Sequence, residues 1–178
     1  TYNPNIMLLY SMPSLPAEIE DDWMFGKPFT KDPPQPIRVE IQPENENAAL
    51  VPFFDNPPLV SDFFLQTLKD SGVNNFMVYD VKICSEDNSI VFDGYKAINI
   101  IGLVKVAGSG TNFTGDSHLI DASIDGINPN LNIPQDLLMF RMAEKISAIV
   151  VHEKVKNFIE SRKFDSIEFT RLNDFFGI

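Results

Sequence analysis

The sequence has little of what most catalytic sites are made from. It carries one cysteine, Cys84, and two histidines, His118 and His152, among 178 residues. A lone cysteine closes no internal disulfide, so nothing in the chain calls for an oxidising compartment. Cations are scarce as well: 14 Lys and Arg stand against 25 Asp and Glu, a formal net charge of −11. That balance repels phosphate backbones and anionic membrane surfaces, which argues against nucleic-acid binding; it serves solubility or a basic partner. Long apolar runs are missing too. The longest, AINIIGLVKVA at 97–107, is too short for a membrane span and is interrupted by Asn99 and Lys105. The first residues show no charged segment followed by an apolar one, as a secretory signal has, and a leading Thr1 points to a processed or trimmed start; the cytoplasm is the expected location. Without a secretory route, the acceptor pattern Asn112-Phe113-Thr114 carries no weight as a glycosylation site.

The remaining composition, 44% apolar and 22% charged, is that of a globular protein long enough for one well-buried domain, read as a single unit over 1–178. Thirteen prolines against nine glycines imply many rigid connections and limit helix content. Two parts differ in texture: an acidic, proline-rich part over 1–56 and a core over 57–178. In the first, NIMLLYSM (5–12) has the apolar run of a strand, and IRVEI (37–41) alternates like a half-buried one. Between them lies loop packed by Trp23, Phe25 and Phe29.

The core opens on a helix with Ser61 as N-cap, Phe64, Leu65 and Leu68 on one face and Gly72 just past its end. FMVYDVKI (76–83) alternates as a strand; the turn residues 86–89 lead into IVF (90–92), which predicts a hairpin. Asp93-Gly94 marks a further turn before AINIIGLVKV (97–106), a long strand whose near-continuous apolar character predicts a central position covered on both sides. A loop over 107–117, a short strand over 118–124, another loop over 126–134 and apolar strands at 137–142 and 148–151 follow, before a final helix and strand. Helices and strands are mixed without strict alternation, so the expected class is α+β with a mainly antiparallel sheet.

An internal repeat runs through the core. At an offset of 91 residues, 59–79 and 150–170 superimpose Leu59 on Val150, Val60 on Val151, Phe64 on Val155, Leu68 on Ile159, Val73 on Phe164, Phe76 on Ile167 and Val78 on Phe169. A helix, its connection and the following strand are thereby predicted to recur. In this register His152 takes the place of Ser61 and Glu153 that of Asp62, so His152 is expected at a helix start, with an acidic neighbour matching the positive end of the dipole.

Chemical constellations are sparse. A nucleophilic site needs Cys84 or a serine beside His118 or His152, and neither histidine sits in a recognisable motif. Cys84 ends an alternating apolar run, the place of a small packed side chain. His118, Asp121 and Asp125 resemble a metal set only on paper, because a period-two strand points His118 and Asp121 to opposite faces. Gly108-Ser109-Gly110 lacks the Gly-Lys-Ser/Thr ending and the following helix of a phosphate cradle. No metal and no cofactor are expected. The alternative to a binding protein is a small enzyme or ligand-binding domain with a pocket using His118, His152 or Cys84.

Other stretches carry a resemblance. LLMFRMAEKISAIVVHEKVKNFIESRKFDSIEF (137–169) holds Phe140-Arg141, Val150-Val151, Glu153, Val155-Lys156 and Phe169. It is similar to the C-terminal signature of a family of bacterial immunity proteins from polymorphic toxin systems. GYKAINIIGLV (94–104), PPLVSDFFLQTLKDSG (57–72) and Trp23-x-x-Gly26-x-Pro28 resemble its other elements, for a cover of roughly two thirds of the chain. The segment AGSGTNFTG (107–115) departs from the aspartate-rich or cysteine-containing text that follows the family's central strand. The resemblance implies a non-enzymatic protein that binds and neutralises a cognate toxin in the bacterial cytoplasm; it fixes no oligomeric state. The acidic balance suits a basic effector. Loops on a rigid sheet carry much recognition, which makes Glu86, Asp87, Asp93, Asn112 and Asp116 the candidate interface residues.

Overall fold

The computed structural model describes residues 6–10, 15, 19, 22–43, 48–55, 58–108, 128, 130–164 and 166–175. In chain order the elements are β1 (Ile37–Glu40), β2 (Phe53–Phe54), β3 (Leu59–Ser61), α1 (Asp62–Asp70), β4 (Phe76–Cys84), β5 (Val91–Phe92), β6 (Tyr95–Ile100), β7 (Leu103–Val104), β8 (Met139–Met142), β9 (Lys145–Val151), α2 (Glu153–Ser161) and the single turn α3 (Leu172–Phe175).

The alternating residues of FMVYDVKIC make β4 the organising strand. It pairs in parallel with β1 and antiparallel with β5 and β6. The larger sheet runs β1-β4-β6-β3-β2 with β5 also on β4; the smaller runs β7-β8-β9. Among the named strands of the described residues, only β1–β4 and β7–β8 pair in parallel, so this is the expected α+β fold with mainly antiparallel pairing. β1 brings the N-terminal part into the same sheet, and Met7, Trp23, Phe29, Val39 and Ile41 share one core with Leu59, Tyr79, Ile83 and Ala97. Trp23 stands edge-on to Phe29 and to Tyr79, with ring centroids 4.9 and 5.5 Å apart. Phe25, expected to pack there, is 43% exposed instead.

Both long helices lie on the opposite side of the larger sheet. α1 buries Phe64, Leu65, Thr67 and Leu68, and α2 buries Val155 and Ile159, against Val60, Ile98, Ile100 and Met139. Each fully buried apolar side chain of this kind stabilises the fold by about 1.5–3 kcal/mol. An ion pair, Arg162 to Asp70 at 3.6 Å, joins the two helix ends.

Three expectations are corrected. The run 97–106 is not one strand. It breaks at Ile101-Gly102, where Gly102 has φ +133°, and passes from β6 in one sheet to β7 in the other. The backbone of Gly26 meets the break, with Gly102 N donating to Gly26 O at 2.7 Å. Second, residues 6–10 form no strand, only the single bridges Ile6 to Ala49 and Leu9 to Ile41.

Third, the repeated helix–strand module is not formed. The helices do recur in register, each nine residues long, but residues 166–170 pair with no strand. Their apolar members have another destination. Phe164, Ile167 and Phe169 pack against the helical core beside Ile149 and Val151, whereas Leu172 packs on the other face of the smaller sheet, beside Ala148 and Val150. This C-terminal segment thus passes around the outer edge of β9, crossing it rather than lying along it. The strand expected at 118–124 lies outside the described residues.

Candidate interaction surface

The hairpin turn between β4 and β5 is built by its own side chains. Ser85 N donates to Ile90 O and Asn88 N to Ser85 O, both at 3.0 Å, closing the loop. Asn88 sits at φ +59°, a left-handed conformation that asparagine tolerates better than most side chains. Buried Ser85 is the pivot: its Oγ accepts from Ile90 N at 3.0 Å and donates to Asp87 Oδ1 at 2.7 Å. The same Oδ1 accepts from Ser89 N at 2.9 Å.

Those bonds favour the charged carboxylate, the backbone N–H of Ser89 most and the Ser85 hydroxyl next, and hold Asp87 down at about 2. A brace from a distant strand completes the turn. From β1, Arg38 donates through Nη2 to Glu86 O at 2.9 Å and Ser85 O at 3.1 Å, through Nη1 to Asn88 Oδ1, and through Nε to Glu40 at 3.0 Å.

The consequence for the candidate residues is a division of labour. Asp87 is engaged by its own turn, while the exposed Glu86 lends only its carbonyl to Arg38 and directs its carboxylate outward. Asp93 is exposed but lies elsewhere. Phe92 pairs with Ile83, so Asp93 comes level with Lys82, about 13 Å along the strand from Glu86 at the usual rise per residue. It adjoins a second acidic group: Gly94 O accepts from Asp62 N at 2.8 Å, and Asp80 binds Lys96 at 2.7 Å. The bond Lys96 donates to Asp80, with the further field of Asp62, raises the pKa of its ammonium above the ordinary value. Asn112 and Asp116 lie outside the described residues, as does His118.

Of the residues of the alternative pocket, the two that are described, Cys84 and His152, are not brought together. Cys84 is fully buried at one end of β4. His152 caps α2, its Nδ1 accepting from Lys154 N at 3.0 Å, just as Ser61 Oγ accepts from Phe64 N at 3.2 Å for α1. Lys154 reaches Gly72, near the opposite end of β4, and about 26 Å of strand rise separates the two ends. Among the described residues, no three His, Cys, Asp or Glu side chains are grouped to hold a metal ion.

Sequence reasoning missed two features. Arg38 looks in the sequence like any exposed residue of an alternating strand, and its bonds to residues about fifty positions later leave no local trace. Arg141, half of the Phe140-Arg141 pair, is completely buried with Nε and Nη2 unpartnered, while Nη1 donates to Ile146 O at 2.9 Å. Burial lowers its pKa, opposed by the fields of Asp22 and Asp55. The motif that carries the resemblance is therefore an interior feature. Among the described residues, no helix is long and apolar enough to cross a membrane. No family model matches this chain, and no curated protein matches it.

Proposed function

We propose that this protein is a non-enzymatic inhibitor that binds a basic protein toxin and neutralises it in the bacterial cytoplasm, an immunity protein in kind. One observation carries the reading: the β4–β5 turn is fixed from three directions by Ser85, Asp87 and Arg38 and leaves the Glu86 carboxylate facing outward. A surface rigid before binding loses little freedom on association. A formal charge of −11 speeds encounter with a cation-rich partner and disfavours anionic ones, nucleic acids included.

The reading is tested by co-expressing the chain with the larger protein encoded next to it in the source genome. The expected result is rescue of growth from that protein's toxicity and a stoichiometric complex. Glu86→Lys is expected to weaken the complex by about 1–3 kcal/mol, as reversing one charge at a complementary interface does. Rescue undiminished by Glu86→Lys removes the turn from the interface. No rescue and no complex removes the toxin reading itself.

A further inference from the structure

Among the described residues, the outer side of β9 has no strand partner. The ladder to β8 fixes which of its backbone groups point that way. Arg141 N donates to Gly102 O at 2.9 Å, so the peptide groups of Arg141 face β7. Its cross-strand partner Ile149 therefore forms a non-hydrogen-bonded pair with it. The N–H and C=O of Ile149, and of Val151 two residues on, then point to the open side. His152 N, which donates to Leu138 O at 2.8 Å, fits the same alternation.

A half-open cavity of about 650 Å³ lies against this edge and touches five consecutive β9 residues, 147–151. Consecutive strand residues point to opposite faces, so a cavity touching all five sits on the edge itself with backbone in its wall. The C-terminal segment 168–172 forms the opposite wall. A second hollow of about 280 Å³ continues past Phe53, Ile149, Val151 and Phe169, all of them half-buried apolar side chains.

The charges around the cavity are unequal in their commitments. Asp55, Glu153 and Glu168 line it and are exposed, and none makes a hydrogen bond or close ion pair among the described residues. Of the cations, Lys156 is bound to Glu160 at 2.8 Å and Lys145 has interactions of its own, which leaves Arg171. The uncommitted charge is acidic.

We propose that this edge is a docking site for an extended, cationic peptide segment of a partner protein. The segment adds a strand beside β9, with its backbone bonded to Ile149 and Val151. Alternate apolar side chains enter the hollow, and its Lys or Arg side chains meet Asp55, Glu153 and Glu168. The assignment rests on the chemistry of the groove and not on the toxin reading, so either stands if the other fails.

The test titrates the full chain with a labelled decapeptide of alternating valine and lysine, followed by anisotropy. A glutamate-for-lysine peptide and one with proline in place of valine serve as controls. The expected result is a dissociation constant on the order of 10 μM for the cationic peptide at low salt, with neither control binding. Exchange of the Ile149 and Val151 amide protons slows in the complex. Glu168→Lys, on an exposed side chain without partners, weakens binding about tenfold. Failure of the cationic peptide to bind, equal binding of a control, unaltered exchange at Ile149 and Val151, or indifference to Glu168→Lys each overturns the proposal.

Discussion

Asp87 shows how much a single side chain can settle. With its pKa held at about 2 by Ser89 N and Ser85 Oγ, the contribution of its carboxylate to the turn is complete above the ordinary value near 4 and is lost as pH falls through about 2. The turn is therefore expected to hold its shape from neutral pH down to about 4 and to loosen between about 4 and 2. A carboxyl-carbon NMR titration reads this directly, and in Ser85→Ala the Asp87 midpoint is expected to rise toward the ordinary value. Lys163 offers a second check. It stands just past α2 at φ +56°, the position that Gly72 occupies past α1 at φ +98°. At Gly72 the chain closes with Gly72 N bonded to Lys69 O and Val73 N to Leu68 O, a pattern that a residue without a Cβ adopts freely. Lys163→Gly is expected to stabilise the protein by about 1 kcal/mol in chemical denaturation, because the left-handed strain is relieved at an exposed site.

At the level of elements, the two sheets are one run of chain bent at Gly102 against Gly26. A Cβ added at Gly26 would lie 2.8 Å from Gly102 O, a backbone atom with nowhere to go, whereas at Gly94 the nearest atom is a side-chain oxygen 3.8 Å away. Gly26→Ala is expected to destabilise by about 2–4 kcal/mol and Gly94→Ala by about 1 kcal/mol, the first combining a clash with left-handed strain and the second strain alone. Thermal melts of the two variants measure the contrast. This junction also marks the limit of what could be read in advance. The Ser61 cap, the face of α1 and the β4–β5 hairpin were legible from residues close in sequence, the His152 cap and the face of α2 from their match to α1 at an offset of 91, and the α+β class from the order of elements. The apolar run 97–106 concealed its bend, since a near-continuous hydrophobic pattern is the same for one buried strand as for two in successive sheets. Residues 166–170 alternate as a strand does, yet wrap an edge. Alternation tells which side chains are buried, not whether the backbone finds a partner. Of the candidate surface, the acidic letters at 86 and 87 were visible, but not that one of them is tied up in the bonds of its own turn.

Across the whole molecule, the C-terminal segment narrows the approach to β9 to the groove between them, room for an extended segment but not for the sheet edge of a second folded chain, since an uncovered edge strand is a template for pairing. Phe169→Ser together with Leu172→Ser removes one of its apolar anchors from each face of the smaller sheet. The double variant is expected to keep its far-ultraviolet circular dichroism, melt lower, and elute as larger species as concentration rises. A pair that stays monomeric under those conditions would show that the segment does not guard the edge. Long-range charge gives a second whole-molecule expectation: if the partner is basic, its association rate falls steeply with salt while dissociation changes little, which stopped-flow measurements separate. The Arg38 brace carries a consequence of a different kind. It reaches Asn88 from 50 positions earlier in the chain, so the acidic turn of a nascent chain stays unbraced until both segments have left the ribosome and β1 has docked on β4. A short peptide copied from the turn would carry the same charges and its internal Ser85 and Asp87 bonds but not the Arg38 brace, so the loop supplies the form and the fold holds it still.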